Sequence, residues 1–142
     1  MQIEIIINMA TSKIIYTGKL RTQATHIASG EGFITDAPVD NGGKGEAFSP
    51  TDLVATALGA CAITIVGKAA ETHGFTIDNT QICITKIMKG EPRRIGEIVV
   101  EMNFPSNTYT DKQKSIIRNA VKSCPVALSL HPDIVQTFIF NF

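Results

Sequence analysis

The chain has 142 residues, of which 44% are hydrophobic and 18% charged, and its 13 basic side chains balance 13 acidic ones. This length suits one domain with a sizeable core, so we expect a single domain over residues 1–142. Balanced charge without a run of like charge argues against nucleic acids and anionic membranes as partners.

The amino-terminal stretch MQIEIIINMATSK lacks the features of a secretory signal. It has no basic n-region, and Glu4 lies within its only apolar part. The longest apolar stretch, residues 53–66, is interrupted by Thr56, Gly59 and Thr64 and is shorter than the roughly 18 residues expected of a membrane span. We therefore expect a soluble, cytoplasmic protein.

The first third of the chain predicts β-structure. KIIYTGKLRTQATHIA alternates enough to predict a strand, and GEGFITDAP predicts a second short strand that ends at Pro38. Together they predict an antiparallel meander. The Gly-rich stretch DNGGKGEAFSP predicts a long loop after it.

One long helix is predicted by SPTDLVATALGACAITIVGKAAETHG. Ser49 can cap it, Pro50 suits the first helical position and Asp52 completes a capping-box-like arrangement, while Gly74 can end it. Because the helix is apolar on almost every face and rich in small residues, we expect it to be buried all round. A second chain is one candidate for its neighbour.

The second half of the chain predicts a hairpin, two helices and a last strand. FTIDNTQICITKIMKG and RRIGEIVVEMNFP predict two strands joined by a short loop. Thr110 and Gln113 have capping-box spacing at the start of an amphipathic helix that ends near Ser123. Cys124 then caps a short helix that begins at Pro125, and DIVQTFIFNF closes the chain as a strand. This order of elements predicts an α+β fold.

The three cysteines include no CxxC pair, and an odd number in a reducing compartment argues against a disulfide framework or a zinc site. Cys124 lies at a helix start, where N–H groups and partial positive charge stabilise a thiolate, so it is either reactive or a small packing residue. Cys61, about three turns into an apolar helix, is by itself a core residue. It becomes a nucleophile only if a cation reaches it. Arg21 is the first candidate for that cation, followed by Lys19 and Lys44, although a strand arginine can equally be a solvated surface residue.

Four further residues receive no functional assignment. Cys83 alternates with polar neighbours on one face of a strand. His26, His73 and His131 have neither metal-ligand spacing nor a neighbouring nucleophile in a triad arrangement, so a structural interpretation is favoured for each.

The cysteine motifs SPTDLVATALGAC and CPVALSL, with a Gly-rich loop ahead of the first, resemble the osmotically inducible protein C and organic hydroperoxide resistance (OsmC/Ohr) family over residues 15–142. The resemblance implies an OsmC-like fold, with antiparallel sheets around a long, central, buried helix. It also implies an intertwined homodimer whose active sites lie at the subunit interface.

The same resemblance implies a chemistry for the cysteines. Cys61 would be the peroxidatic residue, whose thiolate attacks a small organic hydroperoxide and becomes a sulfenic acid. Cys124 would be the resolving residue, which condenses with it to a disulfide. A lipoyl-like dithiol would reduce that disulfide, and no bound cofactor or metal is expected.

One departure from the family pattern concerns a carboxylate. The peroxidase branches carry a glutamate, which holds the catalytic arginine, at the position of Thr51 here, and Asp52 points about 100° away from that direction on a helix. Asp52 then serves as a helix cap, and Glu46 is a candidate replacement for the glutamate. Two alternatives to a peroxidase stay open: a dimer that binds a small hydrophobic or electrophilic molecule, and a structural dimer with inert cysteines.

Overall fold

The computed structural model describes residues 10–105 and 107–142, which form two compact units with a boundary after Leu53, inside the long helix. In chain order the elements are β1 (Ser12–Gly18), β2 (Arg21–His26), β3 (Gly32–Asp36), α1 (Pro50–Thr72), β4 (Gln81–Lys89), β5 (Arg94–Asn103), α2 (Asp111–Ala120), α3 (Pro125–Ser129) and β6 (Val135–Asn141). This order confirms the predicted α+β fold. The expectation of a single domain stays a prediction.

The sheet of the first unit has the strand order β1-β2-β3, and both pairings are antiparallel. The predicted meander is therefore confirmed, but the single strand predicted over residues 13–28 was wrong. That stretch holds two strands joined by a turn at Lys19 and Leu20, whose φ angles of 54° and 64° are left-handed. Tight hairpins favour glycine or asparagine at such positions, whereas here the glycine, Gly18 with a φ of 92°, stands one residue before them.

The loop after β3 folds back against the sheet. The N–H of Ala37 donates to the carbonyl of Leu20 (3.1 Å), and the N–H of Asp36 donates to the carbonyl of Phe48 (3.1 Å). At Gly43 a Cβ atom would lie 1.8 Å from the carbonyl oxygen of Ala37, a distance that no side chain can adopt. The close approach of two backbone segments is the reason for glycine at this position.

Helix α1 begins and ends where the sequence predicts. The N–H of Ser49 donates to Asp52 Oδ2 (2.9 Å) and the N–H of Asp52 donates to Ser49 Oγ (3.1 Å), which is a reciprocal capping box. By length and composition this helix could also cross a membrane, a test that the core helix of a soluble protein passes equally.

Burial of α1 in the single chain is confined to one face. The sequence predicts burial on every face, but only one stripe is buried, comprising Ala55, Leu58, Gly59, Ala62, Val66 and Ala70. Small and apolar residues on the opposite face are exposed, among them Val54, Ala57 and Ala60.

The sheet of the second unit has the order β4-β5-β6. β4 and β5 pair antiparallel as predicted, but β6 pairs parallel to β5, so the expectation of antiparallel sheets holds for only part of this one. Parallel neighbours need a crossover connection, and here α2 and α3 supply it. Helix α1 lies very close to β4, because a Cβ at Gly59 would lie 2.4 Å from Ile84 Cδ1.

Candidate functional site

The structure brings Cys61 and Cys124 into contact within the second unit. Cys61 lies in the middle of α1 and is half-buried, whereas Cys124 precedes α3 and is fully buried. Cys61 packs against the buried cluster that contains Cys124, and the neighbouring Cys61 side chain is one of the causes that raise the pKa of Cys124. Both are free thiols.

Cys124 caps helix α3, as the sequence predicts. Its Sγ accepts a hydrogen bond from the N–H of Ala127 (3.5 Å), and Pro125 occupies the first helical position. Its own N–H donates to the carbonyl of Val121 (3.2 Å). The sulfur is therefore held by the start of α3, and the main chain of Cys124 is held by the turn before it.

The pKa of the Cys124 thiol is raised above its ordinary value of 9.0. Burial is the largest cause, and the hydrogen bond to Cys61 and the charge of a Cys61 thiolate act in the same direction. The N–H groups of Ala127 and Val126 lower the pKa, but less strongly. Of the influences on this thiol, burial therefore outweighs the helix-terminal donors.

Alkylation should reveal this raised pKa. We expect iodoacetamide to label Cys124 with a pH midpoint above the ordinary range of a cysteine thiol, because the reaction needs the thiolate and burial disfavours it. Replacing Cys61 with alanine removes both a hydrogen-bond acceptor and a nearby negative charge, so the midpoint of Cys124 should fall. Peptide mass mapping over a pH series measures both, with the exposed Cys83 as an internal reference. An unmoved midpoint in Cys61→Ala would contradict the coupling of the two thiols.

Arg21 lies in β2 of the first unit and is held by two carboxylates. Its Nη2 donates to Asp36 Oδ2 (3.0 Å) and to Glu46 Oε2 (3.1 Å). The side chain of Asp36 is 1% exposed, that of Arg21 is 32% exposed and that of Glu46 is 59% exposed. The suggested role of Glu46 as a carboxylate for the arginine is consistent with this contact, while Asp36 was missed by the sequence analysis.

Hydrogen bonds and charges set the protonation of this cluster. The pKa of Asp36 is lowered, first by the N–H of Glu46, which donates to Oδ2 (3.0 Å), then by the hydrogen bond and charge of Arg21 and the charge of Lys44, while burial opposes them. The pKa of Arg21 is raised above its ordinary value, first by the hydrogen bond to Asp36 and then by that to Glu46. The pair is therefore ionised at neutral pH. Arg21 also lines a cavity of about 160 Å³ with both predicted alternatives, Lys19 and Lys44.

The remaining predicted residues take no part in these two clusters. Cys83 is exposed on β4 opposite Glu101, as the alternation predicts. Nδ1 of His26 is hydrogen-bonded to the hydroxyl of Ser29 (2.7 Å). Over residues 10–105 and 107–142 no three His, Cys, Asp or Glu side chains are grouped so as to hold a metal ion. Because Arg21 belongs to the first unit and the cysteines to the second, an approach of Arg21 to Cys61 stays a prediction.

Comparisons with known proteins agree on one family. A family model described as OsmC-like protein matches residues 43–138. A candidate osmotic stress induced and detoxification response protein from Psychrobacter arcticus 273-4 has 48% sequence identity and a TM-score of 0.90, over 94% of this chain and 96% of that one. Among curated proteins, no sequence matches this chain significantly.

Two more distant structures share the fold. An organic hydroperoxide resistance protein OsmC from Legionella pneumophila has 12% identity and a TM-score of 0.74, over 94% of this chain and 98% of that one. An organic hydroperoxide resistance protein from Elizabethkingia anophelis has 16% identity and a TM-score of 0.72, over 94% of this chain and 96% of that one. At these identities the likeness extends to the fold alone.

Proposed function

Because this chain belongs to the OsmC-like protein family, we propose that it is a thiol-dependent peroxidase that reduces small organic hydroperoxides to alcohols. The observation that carries the proposal is the packing of the free Cys61 against the buried cluster that contains the free Cys124. Two structures with the same fold are named organic hydroperoxide resistance proteins, which supports this class of substrate.

The proposed cycle begins at Cys61. Its thiolate attacks the distal oxygen of the hydroperoxide, the O–O bond breaks, and the departing alkoxide takes a proton and leaves as an alcohol. Cys61 is then a sulfenic acid. The sulfur of Cys124 loses its proton and attacks the Cys61 sulfur, a disulfide forms, and the hydroxyl group leaves as water. A lipoyl-like dithiol then returns two electrons and two protons by thiol–disulfide exchange.

The raised pKa of Cys124 supports this order of events. While Cys61 is anionic, its charge helps to keep Cys124 protonated. Conversion of Cys61 to a neutral sulfenic acid removes that charge, so Cys124 ionises more easily once its thiolate is needed. Resolution is thus favoured only after the first step has taken place.

We further propose Arg21 as the cation of this site. A guanidinium near Cys61 would favour the thiolate and would stabilise the negative charge on the departing alkoxide. Arg21 is ionised and only partly exposed, and the two carboxylates restrict its movement. The proposal also includes a cytoplasmic location and no bound cofactor or metal.

A homodimer is part of the proposal, since the exposed face of α1 carries apolar and small side chains such as Val54, Ala57 and Ala60. A second copy would remove this surface from water. We expect light scattering coupled to size-exclusion chromatography to give twice the chain mass. Ala60→Glu places a charge on that face and should shift the protein toward monomer. A monomeric wild-type protein would contradict the interface site.

The threonine at position 51 favours a second candidate function. In the absence of a carboxylate there, the protein would be a non-peroxidatic dimer that binds a small hydrophobic or electrophilic molecule. It would then react slowly with peroxide, and a bound ligand would protect its thiols from alkylation.

One experiment separates the two functions. The reduced protein is treated with about one equivalent of cumene hydroperoxide, beside a matched hydrogen peroxide sample, and its intact mass and peptides are measured. A peroxidase loses two hydrogens rapidly, the loss maps to a Cys61–Cys124 disulfide, and the organic peroxide reacts faster. Slow oxidation spread over all three cysteines would overturn the peroxidase proposal and favour the binding protein.

A further inference from the structure

Asp36, the last residue of β3, is the buried partner of Arg21. We propose that Asp36 is the positioning residue of this arginine, with Glu46 as a weaker second support. This inference rests on the proposed function, since it concerns the cation that would serve Cys61. The acidic residue at the start of α1 has a different task, because Asp52 Oδ2 accepts the N–H of Ser49 in the capping box.

The backbone fixes Asp36 before the arginine does. Arg21 and Asp36 are directly paired across β2 and β3, so the register of the hairpin puts the two side chains next to each other. Oδ2 of Asp36 also accepts the backbone N–H of Glu46 (3.0 Å), which holds the carboxylate independently of Arg21. The arginine is thus bound to an anchor that does not move with it.

The hydrogen bonds from Arg21 to the two carboxylates both come from one nitrogen of its guanidinium. Nη2 donates to both Asp36 and Glu46, and no residue in the described ranges accepts a hydrogen bond from Nε or Nη1. Those two nitrogens carry three of the five N–H groups of a guanidinium. The two hydrogen bonds from Nη2 therefore hold the guanidinium in place. The N–H groups of Nε and Nη1 stay available to a sulfur anion or a peroxide oxygen.

The other oxygen of Asp36 indicates that the carboxylate is not there for stability alone. Oδ1 is buried, and no donor among the described residues reaches it. A buried carboxylate oxygen without a donor costs free energy, which an apolar residue would avoid. An ionised aspartate at this position is explained by the charge that it offers to Arg21.

The two carboxylates that bind Arg21 differ in their exposure to solvent. Asp36 is almost inaccessible, so water screens its attraction to Arg21 little, whereas Glu46 is more than half exposed and contributes as a surface ion pair. We therefore expect Asp36→Asn to have a large effect and Glu46→Gln a small effect of the same sign. Asparagine keeps the shape and an acceptor oxygen, so this variant removes mainly the charge.

The test compares Asp36→Asn, Glu46→Gln and a matched control, Glu31→Gln, an exposed acid in the connection between β2 and β3. Two quantities are measured: kcat/KM for cumene hydroperoxide, and the pH midpoint of Cys61 alkylation by iodoacetamide. For Asp36→Asn we expect kcat/KM to fall by about 10-fold to 100-fold, the range that misplacement of a positioned group produces. The control should match the wild-type protein in both quantities.

The direction in which the pH midpoint of Cys61 alkylation shifts distinguishes a positioning role of Asp36 from a simple effect of its charge. Removing a negative charge without moving Arg21 would favour the Cys61 thiolate and lower the midpoint. Loss of the arginine's position would disfavour the thiolate and raise the midpoint, which is our expectation. A lowered or unchanged midpoint, or an unchanged kcat/KM, overturns the positioning role. Adding Asp36→Asn to an Arg21→Ala protein should neither lower kcat/KM further nor raise the midpoint further if Asp36 acts through Arg21.

Failure of the inference can be told from failure of the proposed function. A wild-type protein that does not consume peroxide overturns the peroxidase, and the alkylation series then decides the role of Asp36 by itself. If Asp36→Asn does not fold, Glu46→Gln is used for the test instead, since Glu46 is exposed. A Cys61 alkylation midpoint that does not rise in Glu46→Gln overturns the proposal that the two carboxylates together position Arg21.

Discussion

Cys61→Ser is expected to reduce the consumption of cumene hydroperoxide to the rate measured without protein. The serine hydroxyl is not ionised at neutral pH and cannot form a sulfenic acid, so the first step is lost. Cys124→Ser should retain that first step and stop at a sulfenic acid on Cys61, which dimedone traps for mass spectrometry. Unchanged turnover in Cys61→Ser would sink the proposed mechanism.

Serine is the informative replacement at Cys124. Its hydroxyl is among the best helix caps and can accept the N–H of Ala127 that Sγ accepts now, so α3 should start as before. Cys124→Ala removes the thiol and the cap together, and comparison of the two variants separates redox function from helix stability. Cys83→Ser is the matched control, because Cys83 is an exposed cysteine away from the pair, and it should leave peroxide consumption unchanged.

Gly43→Ala is expected to be the most destabilising small substitution in the Gly-rich loop. The new methyl carbon would lie 1.8 Å from the carbonyl oxygen of Ala37, and a backbone atom cannot turn aside as a side chain does. We expect the free energy of unfolding to fall by about 3 kcal/mol, the upper end of the range for overpacking. Thermal denaturation measures this as a drop of roughly 10 °C in Tm.

The control for Gly43→Ala is Gly90→Ala, where a Cβ would meet nothing within 4 Å. That variant should have the Tm of the wild-type protein. Because Gly43 and Glu46 belong to the same loop, Gly43→Ala should also loosen the grip on Arg21, so its kcat/KM for hydroperoxide should be lower than that of Gly90→Ala. Equal melting temperatures for the two variants would contradict this prediction, because they would show that the loop rearranges around the new methyl group without loss of stability.

Local features of the fold could be predicted from the sequence because their signals lie within a few residues. The capping box of Ser49 and Asp52 and that of Thr110 with Gln113 both depend on a spacing of three residues. The cap made by Cys124 is equally local, since proline follows it directly. In each case the residues that form the helix cap lie within a few positions of one another in the sequence.

Features that depend on distant pairing could not be predicted in the same way. The turn at Lys19 and Leu20 has no glycine, so the hairpin and its pairing of Arg21 with Asp36 were hidden. The contact of Cys61 with Cys124 was implied by resemblance to a family and not by their spacing. The raised pKa of Cys124 depends on burial by side chains from several elements, which no short motif encodes.

The parallel pairing of β5 with β6 has a consequence for folding. Thr137 on β6 bonds to Glu97 on β5, 40 positions apart in the sequence, and the segment that carries Cys124 lies in the connection between these strands. Such non-local contacts form slowly, since the entropy of closing the loop must be overcome first. If Cys61 and Cys124 have the proposed roles, Cys61 would lack its resolving partner until β6 has docked, and an oxidant met during synthesis or refolding would drive it toward irreversible sulfinic acid. The yield of reducible protein therefore depends on how fast the last strand docks.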